Sequence, residues 1–148
     1  MLKIGDRMPL FEVTDQDGNK FNSGLLLGRK TIIYFYPKDN TSLCTEQACN
    51  LRDNYARLTS EGYNVIGISS DSAESHKDFA SRHSLPFTLL SDTSKELLKR
   101  FGAWGEIEVE GKMRMGPLRK TFIFDEDGIL VKIIADVNTK EHASQIII

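Results

Sequence analysis

Cys44 and Cys49 are the only two cysteines in the chain, and the residues around the first one give it the means to do chemistry. The connection Pro37-Lys38-Asp39-Asn40-Thr41-Ser42-Leu43 leads from an apolar run into a helical pattern, so Cys44 falls in the first turn of a helix. Unpaired N–H groups and the dipole at a helix start favour an anion. The thiolate is the nucleophilic form of cysteine, and this position promotes it. Thr41, upstream of Cys44, is expected to cap the helix and to point its hydroxyl toward the sulfur. Pro37 is expected to shape the loop and shield the pocket.

Cys49 lies five residues beyond Cys44. On an intact helix that spacing means a rise of about 7.5 Å and a turn of about 140°, or roughly 8.7 Å between Cα atoms. A disulfide spans about 4.4–6.8 Å, so the two thiols cannot join while both are helical. Two readings of Cys49 stand at this point. It is a second redox thiol reached by unwinding the helix, or a small apolar residue buried against a sheet.

The elements that position these residues follow from periodicity and turn residues. Residues 11–14 and 20–22 flank Asp15-Gln16-Asp17-Gly18-Asn19, whose turn residues predict an N-terminal β-hairpin. Residues 31–36 are β-branched and aromatic without alternation, as in a strand buried on both faces and ended by Pro37. A helix is expected from about Leu43 to Leu58, closed by Glu61-Gly62, and a second buried strand over 63–69. Asp71 or Ser72 caps a helix running to about Arg82.

A short strand follows over 85–90, then a helix over 94–101 capped by Ser91-Asp92 and stopped by Gly102. Residues 106–115 read as a small hairpin or mobile loop around Gly111. Residues 120–124 and 129–134 enclose Asp125-Glu126-Asp127-Gly128, a strong antiparallel hairpin signal, and 139–148 read as a final helix. The order predicts an α/β protein, a mixed central sheet with helices on both faces and an N-terminal β-hairpin. Most of it matches the thioredoxin-like arrangement, in which a βαβ unit leads to a ββα unit. No repeat, low-complexity tract or linker divides the 148 residues, so one domain spanning 1–148 is expected.

The bulk properties narrow the function classes. With 40% hydrophobic and 27% charged residues, the chain has the balance of a globular protein rather than a disordered one. A net charge of −2 without a basic cluster disfavours nucleic acid and anionic membranes as partners. The apolar runs are too short to span a bilayer, and the N-terminus lacks the pattern of a signal peptide. Two cysteines make no secreted disulfide framework, so a cytoplasmic protein with working thiols is expected. His76, His83 and His142 show no ligand spacing, and no Gly-rich phosphate loop occurs, so no metal or cofactor is expected. His76 reads as a helix-surface or capping residue. Trp104 and Tyr34-Phe35-Tyr36 read as core or pocket wall.

Pro37, Thr41 and Cys44 together form the pattern P-x-x-x-T-x-x-C, which resembles the active-site signature of the peroxiredoxins. The stretch Tyr34-Phe35-Tyr36-Pro37-Lys38-Asp39-Asn40-Thr41-Ser42-Leu43-Cys44-Thr45-Glu46-Gln47-Ala48-Cys49 is similar to the bacterioferritin comigratory protein, or peroxiredoxin Q, branch. The likeness extends to Gly5-Asp6, Gly67-Ile68-Ser69, Ser75-His76, residues 85–92, Trp104-Gly105 and Arg119-Lys120-Thr121-Phe122. It departs from the branch at Ser42-Leu43, where Pro-Gly is frequent, and at Gln47, where Glu is frequent.

The resemblance implies a thioredoxin-dependent peroxidase that reduces hydrogen peroxide and organic hydroperoxides in antioxidant defence. It makes Cys44 the peroxidatic nucleophile, passing through a sulfenic acid. It gives Thr41 and Arg119 the task of holding the peroxide oxygens, and Cys49 that of resolving the sulfenic acid to an intramolecular disulfide that thioredoxin reduces. A monomer or weak dimer is expected. Two other functions compete: a disulfide oxidoreductase, disfavoured by the absence of C-x-x-C, and a redox sensor that is oxidised without turnover.

Overall fold

The computed structural model describes residues 2–147. Its centre is a seven-stranded sheet in the order β2-β1-β5-β4-β3-β8-β9. Strand β3 (Lys30–Phe35) lies mid-sheet, parallel to β4 (Tyr63–Ser69) and antiparallel to β8 (Lys120–Phe124). Strand β5 (Thr88–Ser91) extends the parallel part from β4. The N-terminal hairpin, β1 (Glu12–Asp15) and β2 (Lys20–Asn22), adds to one edge antiparallel to β5. Strand β9 (Leu130–Ile134) closes the other edge beside β8.

The unbroken apolar run of β3 is explained by its two buried faces. Ile32, Tyr34 and Tyr36 point into one core cluster with Cys44, Ala48, Leu51, Leu58, Phe79 and Ala143. Ile33 and Phe35 point into the opposite cluster with Leu97, Leu98 and Phe101. Helices α1 (Ser42–Asp53), α2 (Tyr55–Ser60), α3 (Ala73–His83) and α5 (His142–Ile146) therefore cover one face, and α4 (Glu96–Phe101) the other. Each large apolar side chain so buried contributes about 1.5–3 kcal/mol from the hydrophobic effect. At Gly67 in β4 a Cβ would stand 2.8 Å from Leu89 and 2.9 Å from the Tyr34 ring, so only glycine lets that ring lie flat over the strand.

Several expected boundaries move, each for a local reason. The helix expected over 43–58 is interrupted at Asn54, whose side-chain amide donates to the Asn50 carbonyl at 2.8 Å and competes with the helical ladder. Strand β5 starts at Thr88 because Pro86 has no N–H to pair. Helix α4 begins at Glu96, since Lys95 takes a left-handed φ of 65°; the Asp92 carboxylate still caps it through the Leu97 and Leu98 amides at 3.2 and 2.8 Å. Residues 106–115 are ordered as a separate two-stranded sheet, β6 (Trp104–Val109) with β7 (Lys112–Pro117). Its turn is Glu110-Gly111, with φ of 53° and 79°, the paired positive values of a tight hairpin turn. The final helix is shorter than expected, because residues 136–141 form a looped stem; Ile148 lies outside the described residues.

Candidate active site

Strand β3 delivers the chain to residues 37–41, which cross the carboxyl end of the sheet and start α1. Asn40 turns the backbone with a left-handed φ of 61°. Thr41 has the extended backbone of an N-cap residue, and its carbonyl accepts the first helical bond from the Thr45 amide at 2.9 Å. Ser42, Leu43 and Cys44 are thus the first three helical residues, whose N–H groups have no intrahelical partner. No acidic residue stands in this first turn to oppose a negative sulfur.

Cys44 is buried at 1% exposure. Arg119, on the segment entering β8, donates through Nη2 to the Cys44 Sγ at 3.4 Å and through Nη1 to the Gln47 Oε1 at 2.8 Å. Gln47 lies one helical turn after Cys44 and is fully buried, so the two partners of the guanidinium share one face of α1. Among the described residues Arg119 forms no ion pair with a carboxylate, which leaves its charge directed at the sulfur. The Tyr34 ring packs in the same core cluster as Cys44. Burial, and then negative charge on Cys44 and Asp39, push its hydroxyl well above the ordinary tyrosine range, so it stays protonated.

The structure brings Cys44 and Arg119 together, and Pro37 is half-buried in the loop that leads into α1. Thr41 departs from expectation. It occupies the N-cap position, yet its hydroxyl makes no capping bond and donates to the Lys38 carbonyl at 2.8 Å rather than turning to the sulfur. With its proton committed backward, the oxygen lone pairs remain free to accept. Cys49 is half-buried, and both cysteines are free thiols within the unbroken α1.

A second cluster lies beneath the loop. His76 is not on a helix surface, as the sequence suggests, but fully buried, with Nδ1 2.7 Å from the Asp39 Oδ2 and Nε2 2.9 Å from the Leu90 carbonyl. The signal missed was Asp39 itself, a carboxylate between Pro37 and Thr41 in a loop that follows a buried strand. Asp39, Asp71 and His76 are the one group of potential metal ligands found among the described residues, with ligand atoms within 4.8 Å of one another. Their inward atoms are already paired: Asp39 accepts from the Tyr36 and Ser75 hydroxyls, and Asp71 from the Asp39 amide and the Ser69 hydroxyl.

A thioredoxin-like sheet with a buried helix-start cysteine under an arginine defines a thiol enzyme. Residues 4–133 match the AhpC/TSA family. Peroxiredoxin Bcp of Escherichia coli is 43% identical over 95% of this chain and 90% of its own. Putative peroxiredoxin Rv2521 of Mycobacterium tuberculosis is 42% identical over 98% of this chain and 92% of its own. Among solved structures, peroxidoxin BcpB of Mycobacterium tuberculosis superposes with a TM-score of 0.85 at 29% identity, covering 98% of this chain and 94% of that one. The bacterioferritin comigratory protein of Xanthomonas campestris gives a TM-score of 0.87 at 26% identity, covering 95% and 94%. The chain belongs to the AhpC/TSA family, among its Bcp-type peroxiredoxins, and is a thiol peroxidase that takes peroxides and a thiol reductant. No helix among the described residues is long and apolar enough to cross a membrane.

Proposed function

We propose that the peroxidase works through Cys44, with Cys49 as its resolving thiol and thioredoxin as its reductant, on hydrogen peroxide and alkyl hydroperoxides. The observation that carries this reading is the Arg119 guanidinium donating to the Cys44 sulfur at 3.4 Å at the start of α1. The Cys44 thiolate attacks the terminal peroxide oxygen. The O–O bond breaks, a proton from solvent goes to the departing oxygen, and water or an alcohol leaves while Cys44 becomes a sulfenic acid. Arg119 and the free Cys44 N–H stabilise the charge that moves onto the leaving oxygen. The Thr41 hydroxyl, its own proton held by Lys38, accepts from the hydroperoxide O–H. Pro37 keeps the loop closed over the sulfur.

The Cys49 thiolate then attacks the sulfenic sulfur and forms the disulfide, and the departing hydroxide takes a proton from solvent and leaves as water. Because both residues sit on one continuous helix, α1 must unwind at its start for the sulfurs to meet. Attack by a dithiol of the thioredoxin type returns both cysteines to thiols and the helix to its folded form. Alkyl peroxide reduction is the activity for which the Xanthomonas campestris structure is described, which supports bulkier hydroperoxides as substrates here.

A single domain over 1–148, a monomer or weak dimer, and a reducing cytoplasm complete the reading. Sheet continuity from residue 12 to residue 134 supports the first, and the dependence on free thiols supports the last. Cys49→Ser tests the cycle. It should still be oxidised once by peroxide, yet form no intramolecular disulfide by mass and lose thioredoxin-coupled turnover. Undiminished turnover in this variant excludes the resolving role.

A further inference from the structure

We propose that Asp39 and His76 are positioning residues for the peroxide chemistry of Cys44: a buried carboxylate–imidazole pair that pins the 37–41 loop and thereby sets where α1 begins. The inference rests on the reading of Cys44 as the nucleophile and goes beyond it to residues that touch neither sulfur nor substrate.

The side chains of Asp39 and His76 are 1% and 0% exposed. Four elements converge on this pair. Tyr36, at the end of β3, donates its hydroxyl to the Asp39 Oδ1 at 2.5 Å. From α3, Ser75 donates to Oδ2 at 2.8 Å and the His76 Nδ1 meets the same oxygen at 2.7 Å. The far nitrogen of His76 is tied to the Leu90 carbonyl of β5 at 2.9 Å. The backbone amide of Asp39 donates to Asp71, beyond the end of β4, at 2.8 Å, and Asp71 is steadied by the Ser69 hydroxyl at 2.7 Å. Both ring nitrogens of His76 are thus engaged, one by a carboxylate and one by a backbone carbonyl, so the ring cannot turn without breaking a buried hydrogen bond.

Such a buried polar pair is a poor source of stability, because desolvation offsets most of its attraction, and apolar residues of like volume often serve as well. What it supplies is geometry. A carboxylate held by three side chains from two elements, on both of its oxygens, has little freedom, and it sits two residues before Thr41, whose carbonyl takes the first helical bond of α1. Asn40 between them is held in the left-handed region and donates to Asp78 of α3 at 3.2 Å. The loop therefore transmits the position of the β3–β4–β5 ends to the first turn of α1. That turn decides whether Cys44 meets Arg119. The same anchor lies upstream of α1, so unwinding that begins at the cysteines leaves the loop in place to rebuild the helix.

The test compares Asp39→Asn, His76→Gln and Ser75→Ala with the wild type in two assays. One is the second-order rate of Cys44 oxidation by hydrogen peroxide. The other is the thiolate absorbance near 240 nm of the Cys49→Ser background at neutral pH. Displacing reacting groups by a fraction of an ångström costs about tenfold or more. Asp39→Asn and His76→Gln should therefore lose at least that much in rate and lose thiolate signal, with Ser75→Ala intermediate. Asp92→Ala, which removes the buried cap of α4 on the opposite face of the sheet, should lower the melting temperature and leave rate and absorbance unchanged. If Asp39→Asn and His76→Gln melt earlier but keep the wild-type rate and absorbance while folded, the pair is only structural and the proposal falls. If Asp39→Asn does not fold, His76→Gln and Ser75→Ala decide by the same criteria. Cys44→Ser run alongside separates the two claims: peroxide consumption surviving there overturns the nucleophile, whereas its loss there with no effect at Asp39 and His76 overturns the positioning pair alone.

Discussion

At the scale of single residues, the partners of Arg119 matter more than its charge alone. One arm of the guanidinium is held by the neutral carbonyl oxygen of Gln47 and the other faces the Cys44 sulfur. A carboxylate at position 47 would compete with the thiolate for the same cation, and an amide does not. Lysine would keep the charge and lose the fork that reaches both partners. Arg119→Lys should therefore slow Cys44 oxidation about a hundredfold, the scale of losing one preorganised donor. Stopped-flow oxidation of the reduced protein by hydrogen peroxide measures it, and a rate within a factor of about two of wild type would contradict the role. The place of Cys44 was legible in the sequence because a helix start is a local signal. The direction of the Thr41 hydroxyl was not, because its choice of the Lys38 carbonyl depends on how the loop is folded back.

At the scale of elements, α1 is both the activating element and the one that must open. Its outer face is fastened to the C-terminal segment. Asn50 donates to the Lys140 carbonyl at 2.8 Å and accepts from the Ala143 amide at 2.9 Å, capping α5 from outside, and Glu46 accepts from the Thr139 hydroxyl. Unwinding that reaches Cys49 strains these bonds, so they set part of the cost of disulfide formation. Losing a cap of this kind costs about 1 kcal/mol, or about fivefold in an opening equilibrium. Asn50→Ala should accordingly form the Cys44–Cys49 disulfide faster by about that factor after a peroxide pulse, with earlier hydrogen exchange at the α1 amides. Unchanged kinetics would show that the C-terminal segment does not restrain the opening. Helices and strands were readable from periodicity and turn residues. The docking of α5 on α1 was not, since it joins residues far apart in the chain, and neither was the burial of His76 against Asp39, which depends on α3 lying over the end of β3.

At the scale of the whole molecule, two of the polar groups buried in the helix-covered core, one that titrates and one held neutral, decide how the fold responds to pH. His142 is fully buried, with its Nε2 2.7 Å from the Thr121 hydroxyl and its Nδ1 2.8 Å from the Gln145 Oε1. Burial, opposed by the Gln145 bond and reinforced by Arg119 and Lys132, pulls it below the ordinary histidine value. The unfolded chain thus takes up this proton at a higher pH than the folded one. The stabilising effect is complete above about pH 6.5 and is lost as the pH falls from there through the lowered folded value. Melting temperatures taken from about pH 7 down to about pH 5 should fall more steeply for the wild type than for His142→Gln; parallel curves would contradict this. The other group, Tyr34, stays protonated beside Cys44 and adds no charge to the site over the same range. Oxidation of the Cys44 sulfur by peroxide can be read on the intact Cys49→Ser chain. Reduced protein is treated with one equivalent of hydrogen peroxide in the presence of a sulfenic-acid trap, and the adduct is located by peptide mass. Near-stoichiometric trapping at Cys44 is the expected result; no adduct there, with peroxide still consumed, would contradict the nucleophilic role of Cys44.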